Sequence, residues 1–242
     1  NCKRFCIYSI LKRAMKQLGI VIIIIYSIVV VTAQQIPMFS NYSTNLLMLN
    51  PAYAGSKKQA ELNMLNRNQW VGFDGAPTSQ AFNVHTPIKY RKIGLGLTLL
   101  QDKIGPLSST STNLNFSYKI RLSKLSTLAL GIKGGGTFFK GNLAELKTIQ
   151  EEDPLLLNET RTLFVPNFGT GAYFYYKQTF LGVASPHLLV HRMMANGRKV
   201  LYSLRQHFFF MGGTQLDVKE SIQFVPSFMV RYVLNVPLEV EL

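Results

Sequence analysis

Histidines and acids are the side chains whose spacing first suggests chemistry in this sequence. His187 and His191 lie four residues apart, the spacing that puts two metal ligands on one face of a helix. A zinc site needs a third protein ligand, and the neighbouring sequence supplies none. The pair is therefore interpreted as loop or lumen histidines. The acidic run 151–153 could bind calcium, but it is interpreted as a solvated turn.

Glycine-rich and nucleophile motifs are equally incomplete. Residues 131–136, GIKGGG, share the glycines of a phosphate-binding loop but lack its lysine-serine/threonine ending and its strand-to-helix context. They are predicted to lie on the lumen face of a bent strand. Ser185 has no Gly-x-Ser-x-Gly setting. The sequence thus predicts no catalytic residues, no metal and no cofactor.

Composition and charge narrow the class of protein. Hydrophobic residues make up 47% of the 242 residues and charged ones only 16%, which excludes a disordered chain. The net charge is +14, yet the basic residues are scattered and do not form one stripe with aromatics. This pattern disfavours nucleic acid as a partner and favours an anionic membrane surface.

The N-terminus has the three parts of an export signal. Lys16 precedes the apolar run Leu18–Val31, and small residues surround Ala33. The run is shorter than the roughly 20 residues of a spanning helix, so a cleaved signal peptide at 15–33 is preferred over an anchor. Residues 1–14 are interpreted as an upstream or mis-started segment. Both cysteines lie there, so the exported chain is predicted to have no disulfide.

Alternation of apolar and polar residues dominates the chain after Gly55. The clearest case is 113–121, where Leu, Phe, Tyr and Ile alternate with Asn, Ser, Lys and Arg. About nine strands are expected within a domain at 57–242, with turns at Asp74-Gly75, Lys103-Ile104-Gly105-Pro106, Asn196-Gly197 and Gly212-Gly213. Residues 141–163 are predicted to be a loop outside the sheet. Residues 34–56 are predicted to be mostly extended, with at most one helical turn before Asn50.

Long strands with one polar face, one apolar face and aromatics near their ends are typical of an all-β outer-membrane antiparallel β-barrel. A soluble β-sandwich is the alternative architecture. Bacterial single-chain barrels have an even number of strands, and nine is odd. The final segment also runs into a strand that ends at Leu242 rather than at an aromatic residue. The barrel is therefore expected to be incomplete in this chain.

The order of the motifs is more specific than any of them alone. It runs QQIPMFSNY, LNPAYAGS, LNRNQWVGFDGAPTSQAFNVHTP, GLGLTLLQDKIGP, FSYKIRL, LALGIKGG, PNFGTGAYFYY, LGVASPHLL and HFFFMGG. This order resembles the PorP/SprF family of type IX secretion system membrane proteins over about 34–238. The chain departs from the family in having Thr78-Ser79 for Thr-Thr and in lacking a GYSYD-like segment and further strands.

The resemblance implies a non-enzymatic outer-membrane protein of a diderm bacterium that aids secretion or surface anchoring of sorting-domain cargo such as gliding adhesins. It implies cargo, other secretion or gliding components and outer-membrane lipid as partners. A porin or transporter for small solutes is the alternative. The family motif, a hairpin determinant or a docking surface, comprises Pro37, Phe39, Asn50, Pro51, Ala52, Tyr53, Gly55, Arg67, Gln69, Trp70, Gly72, Asp74, Gly75, Ala76, Pro77 and His85. Arg67 is expected to pair with Asp74 or Asp102.

Overall fold

A computed structural model describes residues 45–88, 92–142, 160–189, 192–195, 199–203, 206–219, 222–234 and 236–241. Within these residues, two short helical elements precede fourteen strands. They are helix α1 (Leu46–Leu49), a 3₁₀ turn (Pro51–Tyr53), β1 (Glu61–Asn68), β2 (Thr78–Ile88), β3 (Ile93–Ile104), β4 (Leu107–Arg121), β5 (Ser126–Asn142), β6 (Thr160–Tyr176), β7 (Thr179–Ser185), β8 (Arg192–Ala195), β9 (Lys199–Ser203), β10 (His207–Thr214), β11 (Leu216–Lys219), β12 (Ile222–Phe224), β13 (Ser227–Val233) and β14 (Glu239–Glu241).

Ten strands form one antiparallel sheet in the order β1-β2-β3-β4-β5-β6-β7-β10-β13-β14. Strands β1 to β7 pair in chain order, and β4–β5 and β5–β6 pair along 15 and 17 positions. The pairs β8–β9 and β11–β12 form two separate hairpins within the connections of this sheet. The predicted all-β antiparallel architecture is confirmed, and the sheet is open between β1 and β14, as an incomplete barrel would be.

The two faces of the sheet are inverted relative to those of a soluble protein. On β4, Leu114 is 67% exposed, whereas Asn115 and Ser117 on the opposite face are 2% and 0% exposed. The same alternation places Phe116, Tyr118 and their neighbours outward. We call the polar, covered side the inner face and the apolar side the outer face. Apolar-out and polar-in alternation is the pattern of a strand that meets lipid on one side.

The strand ends form two groups, one at each end of the sheet. At the end here called the short-turn end, strand ends are joined by 89–92, 122–125, 177–178 and 215–226, and the first three connections have at most four residues. At the end here called the long-loop end, strand ends are joined by 69–77, 105–106, 143–159, 186–206 and 234–238, and three of these connections have nine or more residues. Among the described residues, no helix is both long enough and apolar enough to cross a membrane.

Residues 45–56 pack against the inner face, where Leu46, Leu47, Ala52 and Tyr53 are buried with Tyr173. The helical turn allowed before Asn50 is confirmed. The mostly extended conformation is wrong for 45–53, which form α1 and the 3₁₀ turn. The reason is burial: two tight turns bring apolar side chains onto the sheet and pair their own backbone groups, which an extended chain could not do here.

Other predictions from the sequence are wrong about where strands and loops end. The predicted turn at Gly212-Gly213 is wrong, because both residues pair within β10, where a Cβ would meet side chains of Leu181, Phe228 and Phe180. The predicted loop 141–163 is too long, since β5 continues to Asn142 and β6 begins at Thr160. Several predictions concern residues that the structure does not describe. These residues are 1–44, which include Pro37 and Phe39, 143–159, which include the acidic run, and His191 and Asn196-Gly197.

Candidate functional site

The family-motif residues divide between two places in the fold. One group, Asn50 to Gly55 together with His85, lies on the inner face of the sheet. The other group, Arg67 to Pro77, ends β1 and forms the β1–β2 loop at the long-loop end. The first group is buried, whereas most of the second is exposed. The family motif, which is contiguous in the sequence, therefore divides into two structural units with different environments.

Asn50 anchors the first group. Its side chain is fully buried, and its Nδ2 donates to the carbonyls of Ala172 in β6 (3.0 Å) and Val183 in β7 (3.4 Å). Its Oδ1 accepts from the backbone N–H of Ala52 at 3.0 Å, which caps the 3₁₀ turn. Pro51 begins that turn, where its missing N–H costs nothing. One amide therefore connects the N-terminal turns to two strands.

Gly94, Gly131 and Gly171 on the inner face allow these turns to lie directly against the strands. We call this contact surface the glycine seat. A Cβ on Gly94 or Gly131 would come closer than 3.0 Å to backbone atoms of Ala54 or Ala52, respectively, a separation that real Cβ atoms do not show. A Cβ on Gly171 would meet the Asn50 side chain in the same way. Close approach of one backbone to another is a standard reason for glycine in a strand. The seat therefore exists only because these strand positions have no side chain.

Polar side chains of two strands, β4 and β5, complete the seat. The Ser117 hydroxyl donates to the Ala54 carbonyl at 2.7 Å, and Lys119 Nζ donates to the Gly55 carbonyl. Lys133 Nζ donates to the Met48 carbonyl at 3.3 Å. Carbonyls that the short helical elements leave without internal partners are thereby satisfied by strand side chains.

Gly55 and His85 join the end of this segment to β2. Gly55 has φ of 62°, a region that favours glycine, and its N–H donates to His85 Nδ1 at 3.2 Å. Because Nδ1 accepts this bond, the proton of the neutral ring lies on Nε2, which is 3.7 Å from the Glu61 carboxylate. His85 thus orients a turn.

Tyr53 connects the segment to an aromatic cluster. Its ring packs edge-on against Tyr173 at 5.6 Å and His85 at 5.2 Å, and Tyr173 stacks on Phe180 at 5.5 Å. Burial raises the pKa of Tyr53 to about 12, so its hydroxyl remains protonated at neutral pH. The inner face beside β6 and β7 is therefore filled by aromatic side chains.

The second group forms a loop with two glycine-dependent bends. Gly72 and Gly75 have φ of 100° and 74°, and the Gln69 N–H donates to the Pro77 carbonyl at 3.0 Å to close the loop. The positive φ predicted for the Asp74-Gly75 turn is confirmed. The Gly105 N–H donates to the Gly75 carbonyl at 2.9 Å, which attaches the loop to the β3–β4 turn.

The tip of this loop is apolar and exposed. Trp70, Val71 and Phe73 are 72%, 84% and 75% exposed, and Trp70 and Phe73 line an open groove of about 380 Å³ with residues 74–77 and Ile104. Exposed aromatics gathered beside a groove are typical of an interaction surface. Trp70 also has a φ of 51°, which is uncommon for a bulky residue.

The expected pairing of Arg67 has a geometric basis. Strand register aligns Arg67 with Ser79 on β2, and Ser79 with Asp102 on β3, so the three side chains share one face in one row. The Ser79 hydroxyl donates to the Asp102 carboxylate. A direct ion pair of Arg67 with Asp74 or Asp102 remains a prediction.

Two of the residues first considered for chemistry, Ser185 and His187, are described by the structure, and the Ser185 hydroxyl donates to the His187 carbonyl at 3.5 Å. His187 Nδ1 lies 2.8 Å from Asn167 Oδ1, and Asn167 Nδ2 donates to Asn113 Oδ1 at 2.9 Å, a chain of neutral polar groups. Across the part of the chain that the structure describes, no three His, Cys, Asp or Glu residues gather as a metal site would require. Of the GIKGGG glycines, Gly131 and Gly135 face inward as predicted, but Gly134 and Gly136 face outward.

Sequence reasoning placed Gly131 on the lumen face but did not identify the strand side of the seat, which also includes Gly94, Gly171, Ser117, Lys119 and Lys133. Small residues at alternate positions of the expected inner face were visible, but nothing in the sequence indicated which segment they would receive. Asn50 was found only as part of a motif, and its two strand partners lie 122 and 133 residues away.

Comparison with family models identifies the protein family, whereas a search of curated proteins finds no match. The family model described as type IX secretion system membrane protein PorP/SprF matches residues 31–242. That range includes every described strand and both groups of motif residues. The chain therefore belongs to the PorP/SprF family of type IX secretion system membrane proteins.

Proposed function

We propose that this protein is a non-enzymatic outer-membrane component of the type IX secretion system that aids secretion or surface anchoring of sorting-domain cargo such as gliding adhesins. Its partners are the cargo, other secretion-system or gliding components and outer-membrane lipid. It reaches the outer membrane after cleavage of the signal peptide at 15–33. The family supplies the secretion-system role, and the sheet supports the membrane placement through its apolar outer face.

The observation that carries the proposal is the division of the motif. The Asn50–Gly55 segment occupies the inner face and is committed to packing, so it is not a site for chemistry. The β1–β2 loop instead exposes Trp70, Val71 and Phe73 beside a groove. In outer-membrane barrels the longer loops face the exterior, which supports a cell-surface position for this tip. An exposed aromatic tip there suits docking of a secreted protein.

The decisive experiment is complementation of a strain that lacks this gene. The unaltered chain should restore surface display of a sorting-domain reporter, whereas W70A/F73A should leave the reporter in the periplasm at unchanged barrel abundance. The control L62A/M64A removes exposed apolar side chains from the outer face of β1. Equal display by both variants would contradict docking at the loop tip. Reporter display without the gene would contradict the secretion role itself.

The porin alternative is tested separately. The N-terminal turns and the Tyr53–Tyr173 cluster occupy part of the inner face, which leaves less room for solute flux. Proteoliposomes containing the full chain should therefore show little swelling in small sugars. Porin-like swelling rates would favour the transporter instead.

A further inference from the structure

Three lysines lie on three successive connections at the short-turn end. Lys92 ends the β2–β3 connection, Lys124 lies in the β4–β5 turn and Lys177 in the β6–β7 turn, and all three are exposed. Backbone hydrogen bonds join these turns to their neighbours, from Lys177 to Leu125 at 3.1 Å and from Lys119 to Lys92 at 2.8 Å. With strands about 4.8 Å apart, alternate connections follow one another at about 10 Å.

We call Lys92, Lys124 and Lys177 the lysine row. The described parts of its three turns contain no acidic residue. Residues 92, 122–125 and 177–178 include no Asp or Glu. Of the described acids at this end, Glu61 lies on the inner face opposite His85, and Asp217 accepts hydrogen bonds from Gln178 (2.6 Å) and Gln215 (3.3 Å). Asp217 keeps its negative charge beside Gln178, but three lysines stand against this one carboxylate, so the described part of the surface is positive overall.

Apolar side chains border the lysine row. Leu122, Leu125, Tyr118 and Tyr176 are all exposed, and Lys177 Nζ lies 5.6 Å from the centre of the Tyr176 ring. Lysines and tyrosines at the margin of a lipid-facing surface are characteristic of headgroup depth, where the lysine stem lies on apolar groups and the ammonium reaches polar ones. The lysine row is continuous with the surface that meets lipid.

We propose that Lys92, Lys124 and Lys177 bind the phosphate groups of anionic phospholipids in the leaflet at the short-turn end. The positive charge of the three lysines favours phosphate as the group they bind. Because the lysine row borders the apolar outer face, which meets lipid, we infer a phospholipid rather than an acidic protein. This site deepens the lipid partnership of the proposed function and rests on the membrane placement stated there. It fixes the depth and tilt of the sheet while the long-loop end remains available to cargo.

The test uses the full chain in phosphatidylcholine nanodiscs titrated with fluorescent phosphatidylglycerol. Each lysine near an anionic surface strengthens binding about fivefold, so K92Q/K124Q/K177Q should weaken it about 100-fold. The control K57Q/K58Q/R121Q removes the same charge at the same end, but from the segment before β1 and the inner-facing end of β4, and should change binding less than fivefold. K92R/K124R/K177R should retain binding.

Native mass spectrometry gives a second readout, with fewer retained phosphatidylglycerol molecules expected only for the K92Q/K124Q/K177Q variant. Unchanged binding by that variant, or an equal loss in the control, overturns the proposal and leaves the lysine row to an acidic protein surface. A heat-modifiability gel confirms that each variant is folded. Cargo display plays no part in these measurements, so failure here is distinct from failure of the secretion role.

Discussion

Gly131→Ala should release the N-terminal turns from the sheet. The added Cβ would lie closer than 3.0 Å to backbone atoms of Pro51 and Ala52, which cannot rotate away as a side chain could. Restoring ordinary contact requires the segment to lift by about 1 Å. Overpacking of this kind costs about 1–3 kcal/mol.

The docked segment is held by buried apolar side chains and by hydrogen bonds. Leu46 and Leu47 are buried, and Asn50 Nδ2 donates to two strand carbonyls. The strain of about 1–3 kcal/mol acts on the docked state alone, so the ratio of undocked to docked segment should rise about 5- to 150-fold.

Chymotrypsin cleavage after Tyr53 measures the undocked fraction, because the residue is buried while the segment is docked. With rapid opening and closing, the cleavage rate follows the undocked population and should rise by the same factor. Gly134→Ala is the matched control on the same strand, since its Cβ would face outward with its nearest neighbour 3.9 Å away. Equal cleavage rates for the two variants would refute the glycine seat.

Three further predictions concern other parts of the molecule. Asn50→Ala should lower the free energy of unfolding in detergent by about 1–3 kcal/mol, because two strand carbonyls lose their donor, and urea titration will measure it; an unchanged midpoint would exclude the anchor. Trp70→Ala with Phe73→Ala should leave that midpoint unchanged, because both side chains are exposed, while reducing reporter display in whole cells. Ile132→Lys on the outer face should destabilise the folded protein in bilayers by up to about 2–4 kcal/mol, whereas Ser109→Lys on the inner face should cost less; the opposite order would contradict the assignment of faces.

The local pattern of the strands was predictable because a side-chain period of two is imposed by the pleat of any β-strand. That is why 113–121 was correctly divided into an apolar and a polar face. Strand ends were less predictable. Residues 107–112, LSSTST, carry no apolar alternation, and they join β4 only because β3 and β5 pair with them on both sides.

The sequence by itself determined the β class, the alternation of faces, the positive φ of Gly75 and the family. These depend on near neighbours in the chain or on motif order. Only the tertiary structure decided that Asn50–Gly55 lies on the inner face whereas Trp70–Phe73 is exposed at an end. Asn50 binds carbonyls more than a hundred residues away, and Gly131 matters through the backbone of Ala52. Contacts between distant segments leave no periodic signal along the chain, so a contiguous motif could not reveal its two separate roles.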